Sequence, residues 1–382
     1  MLIGLDARVL ETGHRFRGIG FYALNLIKAI IKFDKKNSYL FLTQSEQNDI
    51  QKLLTNNDRT ECFVVRKAKN PEQYNWFLDQ YFLPKAIKYA KIDIVHFLEQ
   101  LSCPLIKTTK ELVTIHDLVQ FDNRDYVNWK IKIKFLGIKH ADKIIAISHS
   151  TKNEIIEKLK IPEEKISVIY NGYNDKVFNN KELIQAKEIT RKLTNGRENF
   201  LFYLGTYTEY EPRKNIDFLI RVFAQYLKKY NSDIYLVLGG KTGQESERIK
   251  TLAKKLGVED KLIFTGFISE REVSAFYKTA QLFLFPSLHE GFGLPPLEAM
   301  ASGCPVISSN KSSLPEVVGE GGILLEPDDQ FLWVKEIGQI LSNKNYSRKL
   351  IDKGLKQAKK FSWEKCAKET INIYQEIYDT KN

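Results

Sequence analysis

Short apolar runs, alternating with amphipathic stretches of helical period, decide most of what this chain can become. Runs rich in Ile, Val, Leu and Phe and too short for a helix suit strands buried on both faces, and the helical stretches between them are the crossovers parallel strands require. The first half carries LIGLDAR, YLFLTQ, CFVVRK, DIVHFL, LVTIHDL, KIIAIS and KISVIYNG. The second starts afresh with NFLFYLG and continues through DIYLVLGG, KLIFTGF, LFLFPS, PVISS and GILLEP. Two such series predict an α/β protein with two Rossmann-like, doubly wound parallel sheets. At 382 residues the chain also exceeds what one hydrophobic core organises. A polar stretch without strand pattern puts the boundary near residues 176–198. The expected division is 1–185, 186–361 and a closing helix over 362–382 that packs back on the first domain, with Trp363, Ile371, Tyr374 and Ile377 at helical spacing. Thr151 with Glu154, and Ser269 with Glu272, both fit the capping box that opens a helix. Asn171-Gly172 reads as a turn.

Composition narrows the class. An apolar fraction of 43% with 27% charged residues is that of a soluble globular protein. No apolar stretch reaches the length of about 18 residues that a membrane span needs, and Asp6 and Arg8 interrupt the start, so the expected place is the cytoplasm. Cys62, Cys103, Cys304 and Cys366 lie far apart with no C-x-x-C pair, which reads as free thiols rather than disulfides or a zinc site. The net charge of +11 either marks a polyanionic partner or reflects a lysine-rich composition. Nucleic acid is not expected as that partner, because no nucleic-acid motif accompanies the charge.

The residues most suited to chemistry follow strands. After LFLFPS comes HEGFGLPPLEAMASG, residues 289–303, where Glu290 and Glu298 flank a Gly-Phe-Gly turn and a double proline. Glycines let backbone approach a ligand, proline suits a first helical turn, and a helix N-terminus offers free N–H groups to phosphate. One carboxylate can then reach one end of a ligand and the other its far end. Arg213 and Lys214 precede the helix NIDFLIRVFAQYL, where the helix dipole alone would disfavour two cations. Gly18 and Gly20 open another helix, and His116 with Asp117 ends the strand LVTI.

These residues resemble a known family. HEGFGLPPLEAMASGCPVISSNKSSLPEVVGEGGILLEP is similar to the C-terminal signature of the retaining glycosyltransferases of family four, which have the two-domain GT-B fold with a cleft between facing domains. The likeness continues through RGIGFYALNLIKAI, TIHDL, ISHSTKNEI, VIYNGYNDKVF, EPRKNIDFLI, GFISEREVSAFYKTAQLFLFPS and FSWEK, over nearly the whole chain. It implies that Glu290 contacts hydroxyls of a donor sugar and that Glu298 holds the ribose of its nucleotide. It also implies that Gly291, Phe292, Gly293 and Leu294 offer backbone to pyrophosphate or sugar, and that Arg213 and Lys214 neutralise the leaving diphosphate. Gly18 and Gly20 lie near donor phosphates and acceptor, and His116 faces the donor sugar. The loop GTYTEYEPRKN departs from the family by being longer than the usual G-x-x-x-P-R-K-N, with Thr206 where an arginine is common.

The resemblance further implies same-face attack with retention, and the absence of a D-x-D motif in a strand-end loop implies catalysis without a metal or other cofactor. The expected function is transfer of a mannose-like hexose from a GDP- or UDP-linked donor to a hydroxyl of a glycan or lipid-linked acceptor in surface polysaccharide biosynthesis. A sugar-nucleotide 2-epimerase of the same architecture, or a non-catalytic sugar-nucleotide-binding partner in a glycosylation complex, is the alternative. The stretch NWKIKIKFLGIKHADK sets Lys130, Lys132, Lys134, Lys139 and Lys143 among Ile131, Ile133, Phe135 and Ile138. It reads either as a surface for an anionic membrane, giving a peripheral place on the inner face of the plasma membrane, or as an amphipathic crossover with its lysines in water.

Overall fold

The computed structural model describes residues 1–16, 18–44, 58–65, 76–121, 133 and 135–380. They fall into two compact units, one of residues 1–172 with 362–382 and one of residues 173–361.

The first unit is built on seven parallel strands, β1 (Leu2–Asp6), β2 (Ser38–Thr43), β3 (Thr60–Val64), β4 (Ile94–Phe97), β5 (Lys110–Ile115), β6 (Lys143–Ala146) and β7 (Ile166–Val168), in the order 3-2-1-4-5-6-7. Its helices are α1 (Gly18–Phe33), α2 (Trp76–Tyr89), α3 (His149–Glu154) and the last helix of the chain, Trp363–Asp379. The second unit has six parallel strands, β8 (Phe200–Leu204), β9 (Tyr235–Gly239), β10 (Leu262–Phe264), β11 (Leu282–Phe285), β12 (Val306–Ser309) and β13 (Ile323–Leu325), in the order 10-9-8-11-12-13. Its helices are α4 (Leu183–Leu193), α5 (Ile216–Tyr230), α6 (Gln244–Lys255), α7 (Glu270–Thr279), α8 (Leu294–Ala301), α9 (Leu314–Val318), α10 (Gln330–Ser342) and α11 (Lys344–Ala358), so the last helix is α12.

Every apolar run quoted above overlaps one of these strands. The runs work because crossover helices cover both faces: β4 and β11 are buried at all four positions, so neither alternates with polar residues. The strand order reverses between β1 and β4 in the first unit and between β8 and β11 in the second. Doubly wound sheets bind ligands at such reversals, beyond the carboxyl ends of the strands.

Residues 173–185 cluster with the second unit. The Ser274 hydroxyl donates to the Val177 carbonyl at 2.7 Å, and the Phe178 ring lies 6.0 Å from that of Tyr277, which fastens this segment to α7. Gly172 is the last residue before the chain enters the second unit, and Trp363 begins the helix after it returns. They meet so closely that a Cβ on Gly172 would sit 2.1 Å from the Trp363 nitrogen, so tight packing rather than a turn demands glycine there. The buried face of α12 comprises Cys366, Ala367, Thr370, Ile373, Tyr374 and Ile377, with Trp363 and Ile371 at its margin.

Two local expectations fare differently. Ser269 and Glu272 form the capping box of α7. Thr151, however, does not open α3: Ser148 is the N-cap, accepting from the Thr151 amide at 3.0 Å, because the helix starts one turn earlier than the Thr-x-x-Glu spacing suggests. All four cysteines are free thiols, three of them buried.

Candidate active site

The second unit concentrates its functional groups beyond β8 and β11, the two strands that flank its reversal. Glu290 lies in the loop after β11. Its Oε1 accepts from Lys214 Nζ at 2.8 Å and from the Ser287 hydroxyl at 2.7 Å, and its Oε2 lies 3.5 Å from Arg213 Nη1. The backbone is fixed as firmly: the Ser312 and Ser313 hydroxyls donate to the Glu290 carbonyl at 2.7 and 2.8 Å, and Ser313 also reaches the Phe292 carbonyl at 2.7 Å. Burial raises the Glu290 pKa, but the Lys214 and Arg213 charges, with hydrogen bonds from Lys214 and Ser287, outweigh it and hold the carboxyl below its ordinary value. Glu290 is therefore an ionised, immobilised acceptor.

Arg213 and Lys214 belong to a single 3-10 turn, Pro212–Lys214, between β8 and α5. The Arg213 carbonyl accepts from the Leu288 amide at 2.7 Å and from the Ser287 hydroxyl at 3.1 Å, which ties the β8 loop to the β11 loop. Arg213 also donates to the His289 carbonyl at 3.3 Å and to Glu211 Oε2 at 2.7 Å. Two cations before a helix N-terminus are thus accommodated by carboxylates placed beside them.

Gly293 precedes α8 with φ of 111°, a left-handed conformation that glycine adopts without strain. A Cβ there would also approach Leu314 Cδ2 to 2.9 Å. Leu294, Pro295 and Pro296 form the first turn that follows. Phe292 is buried with its ring 5.8 Å from that of Phe361, so only its backbone is available to a ligand. Glu298 falls on the second turn of α8, beyond the first-turn position of a simple dipole partner. Burial pushes its pKa up to about 8, the Glu270 charge adding to the rise and the Tyr277 hydroxyl opposing it.

In the first unit His116 follows β5, fully buried. Its Nε2 lies 2.8 Å from the Leu98 carbonyl, its amide donates to Gln100 Oε1 at 3.3 Å, and its ring meets Tyr22 of α1 edge-on at 4.7 Å. Burial lowers its pKa, so the ring is neutral and Nε2 carries the hydrogen that Leu98 accepts. Gly18 begins α1, and a Cβ there would meet nothing within 4 Å, so space exists beside this turn; Gly20 is buried.

Several groups at these strand ends escape a sequence reading. Ser287 is one, and Glu211 another, although its place beside Pro-Arg-Lys is a usable signal. Asp6 and Arg8, at the end of β1, form a buried bidentate pair with Nε–Oδ1 of 2.7 Å and Nη2–Oδ2 of 2.8 Å. The pair sits at the carboxyl end of β1, one of the two strands that flank the reversal of the first sheet.

The basic stretch over 128–143 gives a mixed picture. Lys130, Ile131, Lys132 and Lys134 lie outside the described residues. Phe135 and Ile138 are buried in the core of the first unit, which removes them from any membrane-facing surface, whereas Lys139 and Leu136 are exposed. No described helix is long and apolar enough to cross a membrane.

Comparison with known proteins adds family matches over both halves. Residues 16–177 match Glycosyltransferase Family 4 and residues 184–357 match Glycosyl transferases group 1. The chain is 26% identical over 384 residues to O-antigen chain mannosyltransferase B of Escherichia coli, covering 94% of this chain and 96% of that protein. It is 30% identical over 272 residues to O-antigen chain mannosyltransferase RfbU of Salmonella typhimurium, covering 69% of this chain and 70% of that protein. The solved structure of sucrose-phosphate synthase from Thermosynechococcus elongatus shares the fold, with a TM-score of 0.76 at 21% identity and 100% coverage of both chains.

Proposed function

Since the chain belongs to the glycosyl transferases of group 1, with a family 4 half before it, we propose that it moves a mannose-like hexose from a GDP- or UDP-linked donor to a hydroxyl of a glycan or lipid-linked acceptor in surface polysaccharide biosynthesis. The chain is a glycosyltransferase; the sugar, base and acceptor are the proposed part. O-antigen mannosyltransferases among its relatives support the sugar and the polymer, and lend nothing to a 2-epimerase.

The observation that carries the reading is Glu290 held ionised against Lys214, Arg213 and Ser287 at the sheet reversal of the second unit. Glu290 accepts hydrogen bonds from hydroxyls of the donor sugar and fixes the anomeric carbon relative to the leaving group. Arg213 and Lys214 take up the negative charge that grows on the diphosphate as the glycosidic bond breaks. A fixed cation stabilises that developing charge more than it stabilises the intact donor, which is what lowers a barrier. The Gly291–Leu294 backbone lies against the phosphates, and Glu298 accepts from the ribose hydroxyls. The acceptor hydroxyl enters on the face the diphosphate leaves, and a phosphate oxygen takes its proton, so configuration is retained without a protein nucleophile or a metal. A net charge of +11 supports a lipid-linked acceptor at an anionic membrane surface, and sedimentation with liposomes that shows no dependence on anionic lipid would remove that part.

The test is calorimetric titration with GDP, UDP and ADP and their common sugars, with and without magnesium. We expect one nucleotide to bind in the micromolar range, Glu298→Ala to weaken it by about tenfold or more, and Glu290→Ala to spare nucleotide affinity while cutting turnover by about 10²-fold or more. Equal loss of nucleotide affinity in both variants would overturn this division of roles.

A further inference from the structure

The lengthened loop between β8 and α5 is anchored at several points. Tyr207 is fully buried, donates its amide to the Lys241 carbonyl at 2.8 Å, and sets its ring edge-on to Phe264 at 5.7 Å. Three residues later the exposed Tyr210 ring lies over the Arg248 guanidinium, 4.8 Å from centroid to Cζ. That guanidinium is itself held by Glu245 (Nε–Oε2 2.8 Å) and Asp217 (Nη1–Oδ2 2.9 Å). Pro212 then fixes the backbone on the other side. Glu211, caught between the Tyr210 platform and Pro212, has little freedom except in its own side chain. That side chain reaches Arg213 Nη2 at 2.7 Å.

The charge count of the site makes this contact matter. Arg213 and Lys214 bring two positive charges, and Glu290 and Glu211 bring two negative ones, so the cluster is neutral before any diphosphate arrives. The two carboxylates are not equivalent. The Glu290 side chain is 13% exposed and locked by three partners, whereas that of Glu211 is 38% exposed and, among the described residues, is held by Arg213 alone. Glu211 swings into water by giving up one contact, whereas Glu290 would give up three.

We propose that Glu211 is a displaceable counter-ion: its carboxylate pairs with Arg213 Nη2 and yields that position to a donor phosphate oxygen on binding. Displacement restores the positive charge that the diphosphate needs, and the return of Glu211 to Arg213 helps expel the nucleoside diphosphate after transfer. Glu211 is in this sense a positioning residue, acting through Arg213. The proposal rests on the reading of Arg213 as a diphosphate ligand.

The experiment measures nucleoside diphosphate affinity by calorimetry on the full chain for the native protein, Glu211→Gln, Arg213→Ala and the double variant. An exposed ion pair is worth up to about 1 kcal/mol, so removing the competing charge should tighten binding by about three- to fivefold in Glu211→Gln. It should have no such effect where Arg213 is already alanine. Unchanged or weaker binding in Glu211→Gln, or equal tightening in both backgrounds, overturns the counter-ion role while leaving the glycosyltransferase site intact. Failure of every nucleoside diphosphate to bind any of the four proteins overturns the site reading and the counter-ion with it. In steady state, Glu211→Gln should also lower KM for the donor and sharpen inhibition by the nucleoside diphosphate product, a pair of changes that a merely structural role for Glu211 would not produce.

Discussion

A carboxyl group accepts hydroxyl hydrogen bonds most strongly, and on both oxygens, when it is ionised, and for Glu298 the ionisation is set by its surroundings. Burial raises its pKa to about 8, so below that pH the free site holds a proton that must leave before both ribose hydroxyls can donate to it. Nucleotide affinity is therefore expected to rise with pH, by up to about tenfold per unit below 8, and to level off above it. Calorimetry from pH 6 to pH 9 would show about one proton released per nucleotide at the acid end. Glu298→Gln should flatten the profile, and a persisting slope would assign the proton elsewhere. Glu290 is different in kind, since Lys214 and Arg213 already hold its carboxyl low and no such rise originates there.

At the scale of elements, the turn into α8 depends on Gly293, whose φ of 111° and 2.9 Å approach to Leu314 leave no room for a side chain. Gly293→Ala is expected to destabilise the second unit by about 1–3 kcal/mol and to weaken nucleotide binding, because the amides of the first turn shift with the cap. Thermal unfolding and calorimetry together would separate the two effects. Strand β5 carries a second liability in the fully buried Glu111, whose pKa burial pushes up to about 8. Its folded pKa lies above the unfolded value of about 4.3, so its stabilising protonation is complete below that pH and is lost as pH rises through 8. Denaturant unfolding should show stability falling across this window, and Glu111→Gln should make it shallower. The parallel strands and the capping box at Ser269 were legible in the sequence because each is encoded within a few neighbouring residues. The Glu-Gly-Phe-Gly turn was legible for the same reason. Ser287 on Glu290, Glu211 on Arg213 and the Asp6–Arg8 pair were not, since their meaning comes from where the sheets reverse. The burial of Phe135 and Ile138 was equally hidden, because a basic amphipathic pattern does not say which solvent its apolar face meets.

At the scale of the whole molecule, the second unit is an insertion into the first. The C-terminal helix completes the first unit through a buried chain of polar contacts: the Tyr374 hydroxyl lies 2.7 Å from His96 Nδ1, His96 Nε2 lies 2.9 Å from the Thr114 hydroxyl, and Thr114 lies 2.9 Å from the Tyr22 hydroxyl. Burial lowers the His96 pKa to about 3, so this chain stays neutral through the physiological range. Truncation after Phe361 should therefore expose the first unit to limited proteolysis while the second unit, and with it nucleotide binding, survives. Protection of both units in the truncated protein would show that α12 is dispensable to the first. Because α12 is synthesised only after the whole of the second unit, the first unit is begun first and completed last. The half made first must wait, open along the face where α12 will lie, until the half made second has been finished and has had time to close.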